Sequence, residues 1–457
     1  MSLKRSRVLS ARLLPLALAL TLGGLQTTVQ AEDLVELYNA ARAFDATYLS
    51  VRAQAESAEF AAERSKAALR PNINGTASAG RTESFDTAKT VAPGVTTPDR
   101  LNTNSTAVTI SGSQALFNRA ASVTIEQADR RREQARIALD AAEQDLIVRV
   151  SQAYFDVLGA QDALTTARAN RTAITEQLAS AKRNFEVGTA TITDTREAQA
   201  RFDLATAQEI VADNDLRTKR IALDQLVGRS NVTPKPLAVP AVLPAVVPND
   251  PEQWVGMASA SNPAIRRSTL DVEVARLETD KARAGHLPTV ALVANAGTNH
   301  AWGSAPNIQN SAGTTKNATL GLQLNVPIFS GFSVQNQVKE SLSLEEKARQ
   351  DLEAARRDAA QRTRTVYFGV QSGIAQVKAL EAAESSSKLA LEATQLGYKV
   401  GVRVNLDVLN AQNQLFVTQR DLAKARYDVL MRELQLRQAA GTLTPGDLGA
   451  VNQLLAK

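Results

Sequence analysis

Residues 185–199, FEVGTATITDTREAQ, and residues 398–412, YKVGVRVNLDVLNAQ, are two versions of one loop and the helix start that follows it. Both carry a Val-Gly pair and an aspartate six residues after the glycine, at Asp194 and Asp407. The offset between the two stretches is 213 positions, and it also places Tyr154-Phe155 on Tyr367-Phe368 and Gly228 on Gly441. Similarity at one offset over this length indicates two copies of one structural unit.

The chain begins with a segment typical of a secretory signal peptide. Four basic residues precede an apolar run from Leu13 to Leu25, and Val29-Gln30-Ala31 is a small-residue cleavage site. A transmembrane anchor is less favoured, because the run is shorter than the roughly 20 residues that a span needs. Loss of the four basic residues (Lys4, Arg5, Arg7 and Arg12) lowers the net charge from +5 to +1, which gives no reason to expect a nucleic-acid partner.

The residues that usually carry chemistry are scarce. Cysteine is absent, which excludes disulfides, thiol catalysis and cysteine-rich metal sites. The two histidines, His286 and His300, lie in a pre-strand turn and a polar loop, where a structural role is favoured over metal binding. We find no Gly-rich phosphate loop, nucleophile elbow or metal-ligand cluster, so we expect neither an enzyme nor a cofactor.

Two long segments almost free of glycine and proline predict very long helices, from Arg119 to Glu186 and from Ser333 to Lys399. Apolar or small residues recur in them at spacings of three and four, and about 68 residues make a rod of roughly 100 Å. Helices of about half that length are expected at four further places: Leu34 to Leu69, Asp194 to Val227, Glu252 to Ala284, and Asp407 to Ala440. The helices alone are equally compatible with an elongated coiled-coil scaffold.

Two hairpins of alternating residues are expected between the helices. The first pairs Ile73 to Ser84 with Thr103 to Ser113 across a loop that contains Pro93, Gly94 and Pro98, and the second pairs Thr289 to Thr298 with Ala318 to Val326. In the last strand Leu320, Leu322 and Leu324 alternate with polar or small residues, which indicates one apolar face. Strands of about ten residues suit a transmembrane barrel, although a small soluble sheet packed on the helices would show the same pattern.

The number of strands limits how such a barrel can close. Four strands cannot close on themselves, and an open sheet edge in hydrocarbon leaves backbone groups unpaired at several kcal/mol each, so several chains must share one barrel. Two chains give eight strands, whose side chains normally fill the interior, whereas three give twelve and leave room for a lumen. A channel therefore favours a trimer, without excluding larger rings.

The two copies are joined by a proline-rich segment, residues 232–252, which is expected to be an extended connector around the helical body. The expected organisation is a signal peptide at 1–31, a first repeat at 32–231, this connector, a second repeat at 253–441, and a C-terminal segment at 442–457 in the same belt as the connector. The expected fold class is an α+β membrane protein with two structural repeats, long helical coiled coils and a transmembrane β-barrel shared by several chains, with a trimer favoured.

These residues resemble the TolC-like outer-membrane factors of efflux pumps and type I secretion systems. The resemblance spans the mature chain and is most specific in Phe185-Glu186-Val187-Gly188 and Gly397-Tyr398-Lys399-Val400-Gly401, each followed by the aspartate segment, and in Leu287-Pro288 and Val326 to Gly331. It implies a homotrimer in the outer membrane with a twelve-stranded barrel, continued by a helical barrel through the periplasm. It also implies a passive channel, recruited by a periplasmic adaptor and an inner-membrane transporter.

Candidate functional residues lie at the Val-Gly loops. Val187, Gly188, Val400 and Gly401 suit hinges at the periplasmic tip, because glycine lets the backbone reverse. Asp407 either caps the next helix or, facing the axis, forms a ring of three carboxylates that attracts cations; the resemblance favours the ring.

The resemblance also suggests how the tip is held shut. Asp194 with Glu197 matches a capping box, and by resemblance Thr193 and Asp194 would bond to Arg403 and Tyr398. Asn410 stands where the family's second acidic residue is often found, which implies weaker cation selectivity and weaker divalent block, with Asn410 lining the pore as a polar residue. The main alternative function is a soluble periplasmic coiled-coil adaptor, which would not need the four alternating strands.

Overall fold

The computed structural model describes residues 31–85, 100–238, 245–303 and 313–456. The predicted signal peptide, the loops at 86–99 and 304–312, and part of the connector lie outside these residues. In chain order the elements are α1 (Leu34–Phe44), α2 (Ala46–Ser65), β1 (Asn72–Phe85), β2 (Arg100–Phe117), α3 (Arg119–Glu186), α4 (Ile192–Val227), α5 (Pro251–Ser261), α6 (Pro263–Ala284), β3 (Thr289–Gly303), β4 (Gly313–Asn325), α7 (Ser333–Lys399), α8 (Asn405–Ala439) and α9 (Pro445–Asn452), with a 3₁₀ turn at Lys66–Leu69.

The long helices α3 and α7 contain 68 and 67 residues and are each about 100 Å long. Helix α4 packs along the tip-side part of α3, and α8 packs in the same way along α7. The other ends of the long helices are flanked by α2 and α6, and α3 also contacts α8, which joins the two repeats. Most buried residues of α3 lie near the middle of the helix, between Leu146 and Leu164.

The expected continuous helices at 34–69 and 252–284 are wrong, because both are broken. At the first break Asp45 ends α1 and its carboxylate accepts the amide of Tyr48 at 2.7 Å, so that α2 starts in a new direction. At the second break Asn262 caps α6, and Pro263 occupies the first helical position, where no amide donor is required. At both breaks a short side chain accepts a hydrogen bond from an amide that, in a continuous helix, would have bonded to a backbone carbonyl.

The main hydrophobic core lies around the middle of α3. It includes the fully buried Tyr38 of α1 and the adjacent rings of Tyr154 and Phe155, with residues of α8 and α9. The described parts of the connector lie against this core: Glu32 bridges Pro234, and Leu237 bridges Leu455 near the C-terminus. The N-terminus, the connector and the C-terminal segment therefore share one layer at mid-length.

The four strands form one antiparallel sheet in the order β1-β2-β3-β4. They extend beyond the bounds expected from sequence at six of their eight ends, whereas β3 starts at Thr289 as expected and β4 ends at Asn325 rather than Val326. Leu322 pairs with Leu292, and Leu320 with Ala294, so the apolar side chains of neighbouring strands fall on one face. Among the residues that the structure describes, β1 and β4 each have a partner strand on one side only.

Candidate functional site

The two Val-Gly loops lie side by side at the end of the helices far from the sheet. Gly188 and Gly401 adopt φ values of 78° and 80°, in the left-handed region that a glycine enters without strain. A Cβ at either position would meet nothing within 4 Å, so these glycines are required by the turn and not by close packing. In the first loop the carbonyl of Asn184 accepts hydrogen bonds from two backbone amides, and in the second loop the carbonyl of Gly397 does the same.

The first loop ends in a closed capping arrangement. Helix α4 begins at Ile192, its N-cap is Thr191, and Asp194 occupies the third helical position. The Asp194 carboxylate accepts both the amide and the hydroxyl of Thr191, at 3.0 and 2.7 Å. The predicted capping box of Asp194 with Glu197 is therefore wrong: the box is one turn earlier, because the helix starts before the aspartate.

The second loop lacks this arrangement. Helix α8 begins at Asn405 after Val404, which is the repeat counterpart of Thr191 and has no side-chain acceptor. Asp407 keeps the third helical position but has no capping hydroxyl to bind. Its Oδ2 lies 3.5 Å from Nη1 of Arg403, and the two side chains are 37% and 62% exposed. Asp407 does not serve as the N-cap, so its carboxylate remains available to solvent.

Gly397 allows Arg403 to adopt this position. A Cβ on Gly397 would lie 2.9 Å from Cγ of Arg403, so any larger residue would displace the arginine stem. The repeat counterpart of Gly397 is Asn184, and its side chain has a different role. Asn184 Nδ2 donates to the hydroxyl of Tyr398 at 3.1 Å and so connects the first loop to the second.

Two further hydrogen bonds join the repeats near the tip. Gln177 Nε2 donates to Oδ1 of Asn405 at 2.5 Å, and Arg201 Nη2 donates to Oδ1 of Asn410 at 2.9 Å. With the Asn184–Tyr398 bond, they connect α3 and α4 to the last turn of α7 and to α8. A polar residue on a helix gives no signal of its partner on another helix, so four residues of these bonds could not be predicted from sequence: Asn184, Gln177, Arg201 and Asn405.

The predicted bonds from Thr193 and Asp194 to Arg403 and Tyr398 are not formed inside the protomer. Among the residues that the structure describes, the bonds of Asp194 go to Thr191, those of Tyr398 to Asn184, and that of Arg403 to Asp407. Thr193 is exposed in the first turn of α4. The predicted bonds remain a prediction only for contacts between protomers.

The sheet carries an apolar face with an aromatic end. Leu320, Leu322 and Leu324 are each more than 60% exposed within the single chain. Further along the same face, towards the loop end, the His300 ring stacks on Trp302 with centroids 5.2 Å apart, and His300 Nδ1 lies 3.2 Å from the hydroxyl of Thr314. Exposed leucines ending in a Trp-containing pair are typical of a surface that meets lipid.

Other functional classes find no support in the described ranges. No group of three or more potential ligands is arranged to hold a metal ion there. The helices of the described residues include none that is long and apolar enough to cross a bilayer. Burial raises the pKa of the Asp162 carboxyl, and this group accepts the Tyr427 hydroxyl at 2.7 Å between packed helices.

Comparisons with known proteins agree with this geometry. The family model described as "Outer membrane efflux protein" matches residues 37–229 and 254–442, one segment in each repeat. The outer membrane protein TolC of Vibrio cholerae serotype O1 is 35% identical over 442 residues, covering 96% of this chain and 98% of that protein. The alkaline protease secretion protein AprF of Pseudomonas aeruginosa is 36% identical over 316 residues, covering 67% of this chain and 64% of AprF.

The fold is also that of a solved channel. The crystal structure of the Campylobacter jejuni CmeC outer membrane channel superposes with a TM-score of 0.77 at 16% identity, covering 93% of this chain and 90% of that one. The predicted fold class is confirmed, and the soluble-adaptor alternative loses its support. With a family model that matches both repeats and a relative aligned over nearly the whole length, this chain belongs to the outer membrane efflux protein family.

Proposed function

We propose that this chain forms, as a homotrimer, a passive exit duct across the outer membrane. The duct opens at the tip built from the two Val-Gly loops when a periplasmic adaptor and an inner-membrane transporter recruit it. One combination of features carries the proposal. The sheet has an apolar face and two edge strands that each lack one partner, and the helices are about 100 Å long and end in those loops.

The sheet supports the trimer. The edge strands β1 and β4 must both find partners, because unpaired backbone groups in hydrocarbon cost several kcal/mol each. Three copies of a four-stranded sheet give a twelve-stranded barrel, which is wider than the eight-stranded size that side chains fill. The polar face, with Asn295 and Gln323 among its residues, would then line the lumen while the leucines of β4 meet lipid.

The tip supports the gate. Asp407 is released from helix capping by Val404, and threefold symmetry would make of it a ring of three carboxylates at the narrow end. Such a ring attracts cations and is blocked by a multivalent cation that binds across it. Asn410, one helical turn further, would add a polar ring. Gly188 and Gly401 would act as hinges, since no packed neighbour restrains them.

Two kinds of cargo fit the relatives. The family name indicates efflux, and the name of AprF indicates secretion of a protease. A duct shared by transporters of both kinds would bind its cargo weakly, so specificity would lie with the inner-membrane transporter. The energy for transport would also come from that transporter.

The proposal is tested by single-channel recording of the purified protein in a planar bilayer, with a millimolar divalent cation added to one side at a time. We expect small openings that are blocked from the tip side, and at least about fivefold weaker block in Asp407→Asn, which removes the ring. Asp421→Asn, on the same helix but paired with Arg420, is the matched control and should behave as the parent. A protein that stays soluble without detergent and never conducts would exclude the duct.

A further inference from the structure

The side chain of Asn410 carries a positively charged partner. Nη2 of Arg201, on α4 of the first repeat, donates to Oδ1 of Asn410 at 2.9 Å. The ion pairs of α4 lie further along that helix, at Glu209, Asp213 and Arg217. Because an amide cannot neutralise a guanidinium, Arg201 keeps its full charge where it rests on α8.

This charge lies beside Asp407. Residues three apart on a helix have Cβ atoms about 5–6 Å from each other, so Asp407 and Asn410 share one face of α8. On its other side Asp407 is approached by Arg403 at 3.5 Å. The order along this face is therefore a guanidinium, a carboxylate and a second guanidinium, and the two positive charges come from different repeats.

The repeat relationship shows that this arrangement belongs to the second copy alone. The counterpart of Asn410 is Glu197, and the counterpart of Arg201 is Gln414. An acid at position 410 would form an ion pair with Arg201, whereas the asparagine gives Arg201 a neutral partner on α8. With the amide at position 410, this face of α8 is therefore less negative than it would be with an acid.

We propose that Arg201 is a selectivity-determining residue of the duct. Its guanidinium, held at the constriction by Asn410, offsets the field of the Asp407 ring, so that small anions pass as well as cations and multivalent cations bind weakly. This inference rests on the proposed function, because it places Asp407 at the constriction. The physical basis is the Coulomb field of three guanidinium groups in a narrow, partly desolvated pore.

The test is the reversal potential of single channels in a potassium chloride gradient. Arg201→Gln keeps a donor for Asn410 but removes the charge, and we expect the potassium-to-chloride permeability ratio to rise at least about twofold, with tighter divalent block. Arg201→Lys should keep the parental ratio. Arg217→Gln, the same charge change on the same helix about 24 Å away, should also keep it. An unchanged ratio in Arg201→Gln, with normal conductance, would overturn the inference.

A second variant, Asn410→Asp, supplies an acid that Arg201 should bind. The new carboxylate should raise the potassium-to-chloride permeability ratio less when Arg201 is present than when it is added to Arg201→Gln, and equal rises in the two proteins would contradict the inference. If Arg201→Gln does not assemble, Asn410→Asp alone should still raise the ratio above that of the parent, because the new acid neutralises Arg201, and an unchanged ratio would contradict the inference. A parent protein that does not conduct would instead overturn the duct itself, so the two failures are distinguishable.

Discussion

Gly228 lies directly against the ring of Phe44, so closely that a Cβ on the glycine would overlap the aromatic carbons. Its repeat counterpart, Gly441, lies in the same way against the backbone of Ser261 and Asn262. Both glycines have φ near 70° and end the short helix of their repeat, and each meets the break in a preceding helix. The two repeats therefore use one joint, in which a left-handed glycine is packed against a kink.

The two glycines should differ in their tolerance of alanine. We expect Gly228→Ala to lower the free energy of unfolding by about 1–2 kcal/mol, because Phe44 is half exposed and can move aside. Gly441→Ala should cost about 3 kcal/mol or more, since its Cβ would lie 2.5 Å from backbone atoms of Ser261 that cannot move alone. Denaturant unfolding of the purified protein measures both.

Gly256→Ala is the control for this pair, because it lies inside α5 with nothing within 4 Å of its Cβ. It should be neutral or stabilising by up to about 1 kcal/mol. An equal loss of stability in Gly228→Ala and Gly441→Ala would show that the backbone angle alone matters and that the packed joint does not.

The ion pair at the break near Asp45 predicts that the free energy of unfolding falls at acidic pH. The two oxygens of Asp45 accept Nη1 and Nη2 of Arg149 at 2.9 Å, and this pairing is the main cause of the lowered pKa of Asp45. A carboxyl whose pKa is lower in the folded state stabilises the fold above its unfolded pKa of about 3.9 and loses this contribution as the pH falls below that value. We expect Asp45→Ala to cost about 2–4 kcal/mol at pH 7, and the difference from the parent to shrink below pH 4.

Asp145→Ala serves as the control, because Asp145 binds the same Arg149 from an exposed position. Its cost should be below about 1 kcal/mol. Unfolding curves that fall in parallel for the parent and Asp45→Ala between pH 5 and pH 2 would contradict the prediction.

The contribution of Asp162 to stability should depend on pH in the opposite direction. Burial is the main cause of the raised pKa of Asp162, and the Tyr427 hydroxyl lies 2.7 Å away. A carboxyl whose pKa is raised by folding contributes stability below its unfolded pKa and loses that contribution as the pH rises through the folded value. Asp162→Asn should therefore match the parent near pH 4 and be as stable or about 1 kcal/mol more stable at pH 8.

Tyr427→Phe separates the charge from the hydrogen bond in this pair. It leaves the half-buried carboxylate without its donor and should cost about 1–3 kcal/mol at pH 8, measured by denaturant unfolding. Desolvation would not dominate at this site if Asp162→Asn lost more stability, compared with the parent, at pH 8 than at pH 4.

Val404→Thr should transfer the capping box of the first repeat to the second. The new hydroxyl would bind the amide and carboxylate of Asp407, as Thr191 binds Asp194, and should stabilise the start of α8 by about 1 kcal/mol. Because the carboxylate would then turn away from solvent, divalent block should weaken although no charge has changed. Bilayer recordings of this variant measure the divalent block, and its unfolding curves measure the gain in stability. Val402→Thr, in the same exposed loop, is the control and should alter neither the block nor stability.

Tyr398→Phe removes the bond between the two tip loops. The hydroxyl accepts Asn184 Nδ2 at 3.1 Å, and its loss should weaken the closed tip by about 0.5–1.5 kcal/mol per protomer and raise the single-channel conductance. Asn184→Ala should have the same effect, and the double variant should add little to either single change. Fully additive effects would show that the two residues act separately. Phe185→Leu, at the repeat counterpart of Tyr398, should leave conductance unchanged.

The long helices could be predicted from sequence because their signal is local. A run with almost no glycine or proline and with small residues at regular spacing can form few other structures. Asn262-Pro263, an N-cap residue followed by proline, was a readable sign of the second break, and Thr191 with Asp194 was a readable capping box. The first break has a weaker signal in Asp45, because its role depends on Arg149, about one hundred residues away.

The interactions between the repeats could not be predicted in the same way. Asn184 and Arg201 are ordinary polar residues of helix surfaces, and their partners Tyr398 and Asn410 are more than 200 positions distant. Which polar residues meet depends on the angle and register between packed helices, and these are set by the whole core. The repeat offset located the loops correctly, but it could not show that the two copies hold their aspartates differently.

The unpartnered edges of β1 and β4 have a consequence for the order of events during biogenesis. The helices can pack in water as soon as the chain is exported, because their backbone groups are bonded internally. In the proposed trimer the sheet has no such independence, since its edge strands would be paired by other copies. Membrane insertion should therefore follow the folding of the helices. Its rate should depend on the concentration of exported chains, because the sheet forms only when the chains assemble.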